Sequence, residues 1–92
     1  AIADCNKAIA INPQFAFAYS NRCNAKRLSK DFQGAIADCN KAIAINPQFA
    51  FAYGNRGIAK GASGDQQGAC ADIRKASSLG LNISSELQKI CF

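Results

Sequence analysis

Asn21 and Asn55 stand 34 residues apart, each followed by an arginine (Arg22, Arg56) and, four residues further on, by a lysine (Lys26, Lys60). An asparagine amide both donates and accepts, so it can hold a peptide backbone whatever its sequence; it can also bond only to its own neighbours. The arginines and lysines can read phosphates or acidic side chains. They can equally pair with Asp38 and Asp72 on an adjacent helix, which is the preferred reading. The six carboxylates, Asp4, Asp31, Asp38, Asp65, Asp72 and Glu86, lie at repeat spacing and mark caps and solvated faces. The chain has no histidine, so Ser-His and Cys-His catalytic arrangements are excluded. No glycine-rich phosphate loop follows a strand. An enzyme is not expected, nor a cofactor, nor a metal. The cysteines are Cys5, Cys23, Cys39, Cys70 and Cys91. Their odd number, wide spacing and lack of a CxxC argue against a disulfide framework or a zinc site. They are expected to be small buried hydrophobes with free thiols, in a reducing and therefore cytoplasmic compartment.

These residues are positioned by a repeat. Residues 1–19, AIADCNKAIAINPQFAFAY, recur letter for letter at residues 35–53. A third copy begins at Ala69 as ACADIRKAS and then drifts. Ala35, Ile36, Cys39, Ala42 and Ile43 fall on one face of a helix. That helix ends at Asn46-Pro47, because proline cannot continue it and disfavours helix in the residue before. A second helix is expected from about Phe49 to Ala62, ending at Gly64-Asp65, where glycine suits the left-handed C-cap and aspartate caps the next start. Lys30-Asp31 is the equivalent point one copy earlier. After Leu79-Gly80 the repeat breaks, and Asn82 or Ser84 can cap a last helix from Ser85 to about Ile90.

A 34-residue period of two helices with a closing proline resembles the tetratricopeptide repeat family, whose pattern is W-x2-L-G-x2-Y, then A-x3-F, a further alanine and a proline. The second part reads Ala1-x3-Cys5, Ala35-x3-Cys39 and Ala69-x3-Ile73, with Ala8, Ala42 and Ala76 following and Pro13 and Pro47 closing. The first part reads Tyr19-x2-Arg22-Cys23-x2-Lys26 and Tyr53-x2-Arg56-Gly57-x2-Lys60. The near-identical copies resemble bacterial-type tandem arrays. Cys23 stands where the family prefers glycine, and Arg22, Arg56, Lys26 and Lys60 replace apolar positions. The resemblance implies an all-α fold, an α-α superhelix of antiparallel helix pairs forming a solenoid with a C-terminal capping helix. It divides the single domain into a half repeat (1–14), two full repeats (15–48 and 49–81) and the cap (82–92).

In this family the first helix of each repeat lines a concave groove for an extended peptide or a partner helix. The resemblance therefore assigns the groove to Phe17, Ser20, Asn21, Asn24, Arg27 and Leu28, and in the next repeat to Phe51, Asn55 and Ile58, with Gly54, Gly61 and Ala62 leaving room beside them. Phe15 and Phe49 lie near the rim. Phe17 and Phe51 serve either as pocket walls or as packing between repeats. Some relatives clamp a terminal carboxylate with cations; the matching positions here are Ser20, Asn24, Gly54 and Ile58, so that mode is not expected. Tyr53 is expected to fill the gap between repeats and Gly57 to admit a neighbouring backbone.

The implied function is a protein–protein interaction scaffold whose partner is a protein or peptide. Two alternatives remain open at this level. One is a self-associating module, a homo-oligomer built through the unpaired helix from Ala1 to Ala10, on which Ile2, Cys5 and Ile9 would be partly uncovered. The other, less favoured, is an RNA-binding helical repeat. The net charge of +5 is read mainly as an aid to solubility, and nucleic acid as an improbable partner. No apolar run reaches the length of a membrane helix. The first residue already lies inside a helical pattern, so a fragment or processed chain is expected.

Overall fold

A computed structural model describes residues 2–92. They form six helices: α1 (Ile2–Ile11), α2 (Ala16–Leu28), α3 (Phe32–Ile45), α4 (Ala50–Ala62), α5 (Gln66–Ser78) and α6 (Ser85–Cys91). No described residue is in a strand, and no helix among them is long and apolar enough to cross a membrane. The expected helix from Phe49 starts one residue later. Ala1, where the first helical pattern begins, lies outside the described residues.

Local chemistry sets each boundary. Asn12 and Asn46 turn the chain with side-chain oxygens that accept from the backbone of Gln14 and Gln48, both at 3.1 Å. Pro13 and Pro47 follow them and prevent continuation. Asp31 and Asp65 cap α3 and α5 by accepting from Gly34 N and Gly68 N. Of the two candidates for the last cap, Ser84 is the one used, accepting from Leu87 N. The chain leaves α4 through Gly64 at φ 100° and leaves α2 through Lys30 at φ 68°. Lysine thus occupies a left-handed turn that glycine enters without a Cβ clash.

Consecutive helices pack as antiparallel pairs, α2 on α3 and α4 on α5, and the pairs stack with α2 beside α4. The body measures 40 × 25 × 18 Å. Its seams consist of small residues: Ala35, Ala42, Ala52, Ala59 and Ala76 have no exposed surface. Small side chains let helix axes approach, and the larger Tyr19, Ile9, Ile43 and Phe49 close around Ala42 and Ala52. Tyr53 is only half-buried, and its hydroxyl donates to Pro47 O at 3.0 Å. A Cβ on Gly57 would lie 3.0 Å from Ala69 O, so glycine there admits the backbone of α5. Gly54 leaves no free room: Leu81 Cδ2 already occupies it, 2.9 Å from where a Cβ would stand.

The cysteines correct the expectation of five free thiols. Cys23 is bonded to Cys39, joining α2 to α3, and Cys70 to Cys91, joining α5 to α6. Only Cys5 is free, and it is buried. The Cα separations are 5.5 and 5.0 Å, within the range a disulfide spans. Spacing along the chain misleads here because an antiparallel helix pair brings residues 16 apart face to face. Cys23–Cys39 has that separation, and so does Arg22–Asp38. With the thiols paired, the argument from free cysteines to a reducing compartment no longer holds.

α6 lies over α5, with Leu87 and Ile83 packed against Cys70, Ile73 and Cys91. Arg74 Nη1 donates to Cys91 O at 2.8 Å. Cys91 falls in the 34-residue series 23, 57, 91, so α6 has the register of a first helix cut short.

Candidate functional site

The repeated cations are used on the face of α2 and α4 turned to the second helices. Arg22 grips Asp38 with two parallel bonds, Nε to Oδ2 at 2.8 Å and Nη2 to Oδ1 at 2.7 Å, and Lys26 Nζ adds a third at 3.0 Å. Arg22 Nη1 also donates to Asn6 Oδ1 at 2.9 Å. One repeat on, Arg56 holds Asp72 at 2.8 and 2.7 Å, and Lys60 joins at 3.2 Å. The guanidinium groups lie 5.5 Å from the ring centroids of Tyr19 and Tyr53. Burial pushes the Asp38 carboxyl up, but the bonds from Arg22 and Lys26 outweigh it and hold the group below the usual carboxylate range. The hydrogen bond to Asp38 raises Arg22, and that to Asp72 raises Arg56, above the ordinary arginine value. Of the two readings of these cations, the structure takes the internal pairing.

The opposite face of α2 and α4 is uncharged where it lines the clefts, with aromatic rings beside asparagine amides. Four phenylalanine rings run along it. Phe15 and Phe17 have centroids 6.0 Å apart, Phe17 reaches across the repeat boundary to Phe49 at 6.4 Å, and Phe49 meets Phe51 at 6.3 Å. Phe17 and Phe51 nevertheless keep 53% and 59% of their surface in water. Packing between repeats therefore covers only part of each ring. A cleft of about 390 Å³ lies between α2 and α4, lined by Phe17, Ser20, Asn21, Asn24, Phe49, Phe51 and Asn55. It runs into a second, of about 600 Å³, between α1 and α2, where Phe15, Phe17, Asn21, Asn24 and Leu28 face Asp4, Cys5 and Ala8.

The nine residues assigned to the groove do not all share this face. Phe17, Asn21 and Asn24 line both clefts, Leu28 the first helix pair's alone, and Phe51 the repeat junction's. Ser20 borders the junction but is only 2% exposed, because it meets Asn55. The Asn55 amide donates to Ser20 O and Oγ, both at 3.3 Å, so Asn55 serves the contact between repeats. Arg27 lines neither cleft; its Nη2 donates to Asn24 Oδ1, and its buried Nε finds no acceptor. Ile58 looks the other way, into a separate cleft of about 290 Å³ with Ile73, Leu87 and Ile90. Absent from the assignment are Asp4, Cys5 and Ala8 on α1. Their signal was the exact repeat, since Asp38, Cys39 and Ala42, the same residues one copy later, are buried against first helices.

Among the described residues no cluster of three or more His, Cys, Asp or Glu can hold a metal. What the face offers is apolar ring surface and neutral amide donors and acceptors.

Comparison with known proteins agrees with this architecture. The family model described as tetratricopeptide repeat matches residues 16–49. No curated protein sequence matches. Among solved structures, the first TPR of Spaghetti (RPAP3), bound to the HSP90 peptide SRMEEVD, is 32% identical with a TM-score of 0.88, the match covering 97% of this chain and 73% of that one. The first TPR domain of human RPAP3 is 32% identical with a TM-score of 0.90, covering 98% and 73%. The TPR2B domain of yeast Sti1, solved as a pHsp70 complex, is 31% identical with a TM-score of 0.86, covering 99% and 77%. Repeat length, helix pairing, family model and structural neighbours together show that this chain belongs to the tetratricopeptide repeat family.

Proposed function

We propose that the face formed by α2 and α4 binds a peptide or partner helix of another protein, and that the chain is a binding scaffold with no catalytic role. The observation that carries this is the row of four phenylalanines, two of them more than half exposed beside Asn21. Exposed aromatic rings flanked by amides are costly to leave in water and productive to cover. Peptides bound to the RPAP3 domain and the Sti1 complex support the same use here. Panning a displayed peptide library tests it, with Phe51→Ala and Asn21→Ala as controls. Enrichment that both changes weaken while helicity is kept supports the groove. No enrichment, or no effect of either change, refutes it.

A second reading is favoured by one patch. Ile11 is 84% exposed at the end of α1 and forms an apolar surface with Ala8 and Phe15. Self-association through α1 follows if mass in solution rises with concentration and Ile11→Lys abolishes the rise.

A further inference from the structure

We infer that the ligand of the α2–α4 face is an uncharged apolar segment and not an acidic tail. This rests on the groove reading above and specifies its ligand. The chain carries a net charge of +5, yet none of that charge lines the two clefts. Four cations of the first helices are consumed on the other side by Asp38 and Asp72. Arg27, also on α2, is turned to Asn24 and lines neither cleft. A carboxylate entering here loses water and gains no counter-charge. An apolar side chain meets open rings at Phe15, Phe17 and Phe51, which are 41%, 53% and 59% exposed.

The polar groups fit the same ligand. Asn21 makes no side-chain hydrogen bond to a described residue and is exposed beside the rings. Its amide can pair with one peptide unit as donor and acceptor, without regard to side-chain charge. Asn24 gives its oxygen to Arg27, which leaves its amide nitrogen to meet a ligand carbonyl. Binding of this kind has no ion pairs to screen, so it is indifferent to salt.

The test uses two synthetic pools of fluorescent nonapeptides on the whole chain. One pool is drawn from Leu, Ile, Phe, Gln and Ser and capped at both ends; the other carries Glu at four positions and a free carboxylate. Anisotropy titrations at about 50 mM and about 500 mM NaCl span roughly 14 to 4 Å of Debye length. The capped pool is expected to bind with less than about a twofold change between salts and to weaken about tenfold in Phe51→Ala. Tighter binding of the acidic pool, lost in high salt or in Arg27→Gln, overturns the inference while leaving the groove intact. Binding of neither pool refutes the groove itself and the inference with it.

Discussion

The side-chain amide of Asn55 reaches back across the repeat boundary to Ser20, donating to its backbone oxygen and its hydroxyl, each at 3.3 Å. Asn21, the same residue one repeat earlier, makes no such bond among the described residues and stands exposed. These two corresponding asparagines have different surroundings in this structure, Asn55 bonded to the helix of the preceding repeat and Asn21 exposed beside the cleft.

Substitution separates the two. Asn55→Ala removes the partner of the buried Ser20 and should cost about 1 kcal/mol of stability. Asn21→Ala should leave stability within about 0.5 kcal/mol, as for surface changes generally. Urea unfolding followed by circular dichroism compares them, and equal losses would contradict the assignment.

Gly57 and Gly61 lie on the same helix but differ in what surrounds them. A Cβ at Gly57 would press on Ala69 O, Asp72 and Ile73 at 3.0–3.1 Å, whereas at Gly61 it would make ordinary contact with Ala69 Cβ at 3.4 Å. Gly61→Ala should therefore stabilise by up to about 1 kcal/mol through helix propensity. Gly57→Ala should destabilise by about 1–3 kcal/mol through overpacking. Melting temperatures of the two variants should move in opposite directions.

The Asp38 centre gives a pH dependence of defined sign. Its folded carboxyl is held below its ordinary value, so its contribution is present above the unfolded pKa of about 3.9 and is lost as pH falls through the folded value. Arg22 is shifted upward; its contribution is complete throughout the acid range and is lost only in strong alkali. Asp38→Asn leaves Arg22 and Lys26 unmatched, and the cost at neutral pH should be about 2 kcal/mol, discounted from a fully buried pair because Arg22 is partly exposed. Unfolding free energies between about pH 6 and about pH 2 should decline for the parent and decline less for Asp38→Asn. Parallel profiles would show that Asp38 is not the responsible acid.

The two disulfides should yield to reductant in order. Cys23 and Cys39 have no exposed surface, whereas Cys70 and Cys91 are each 7% exposed, and Cys91 lies on the short terminal helix α6. Thiol labelling during a graded reductant titration should mark Cys70 and Cys91 first. Replacing Cys23 and Cys39 together by serine should cost about 3 kcal/mol, the loop-closure value for a crosslink of this span. Simultaneous labelling of all four would contradict the order.

The sequence by itself determined the architecture. The 34-residue identity, the Asn-Pro and Asp signals and the small-residue face are local properties, and they place α4 and the end of α3 nearly to the residue. The family resemblance followed from those features, and so did the pairing of Arg22 with Asp38, because equal offsets recur in both copies. The tertiary structure decided whatever depends on which residues meet across helices. Cys23 meets Cys39 and Cys91 meets Cys70 only once antiparallel packing brings distant positions into one layer. Arg27, Ser20, Asn55 and Ile58 share the helical face of Asn21 in sequence, yet Arg27 turns to Asn24, Ser20 and Asn55 bond each other at the wall of the α2–α4 cleft, and Ile58 lines a separate cleft beside α5 and α6. A periodic sequence states which face of a helix is apolar. It does not state which neighbour covers that face, and covering is what separates a packing residue from a binding one.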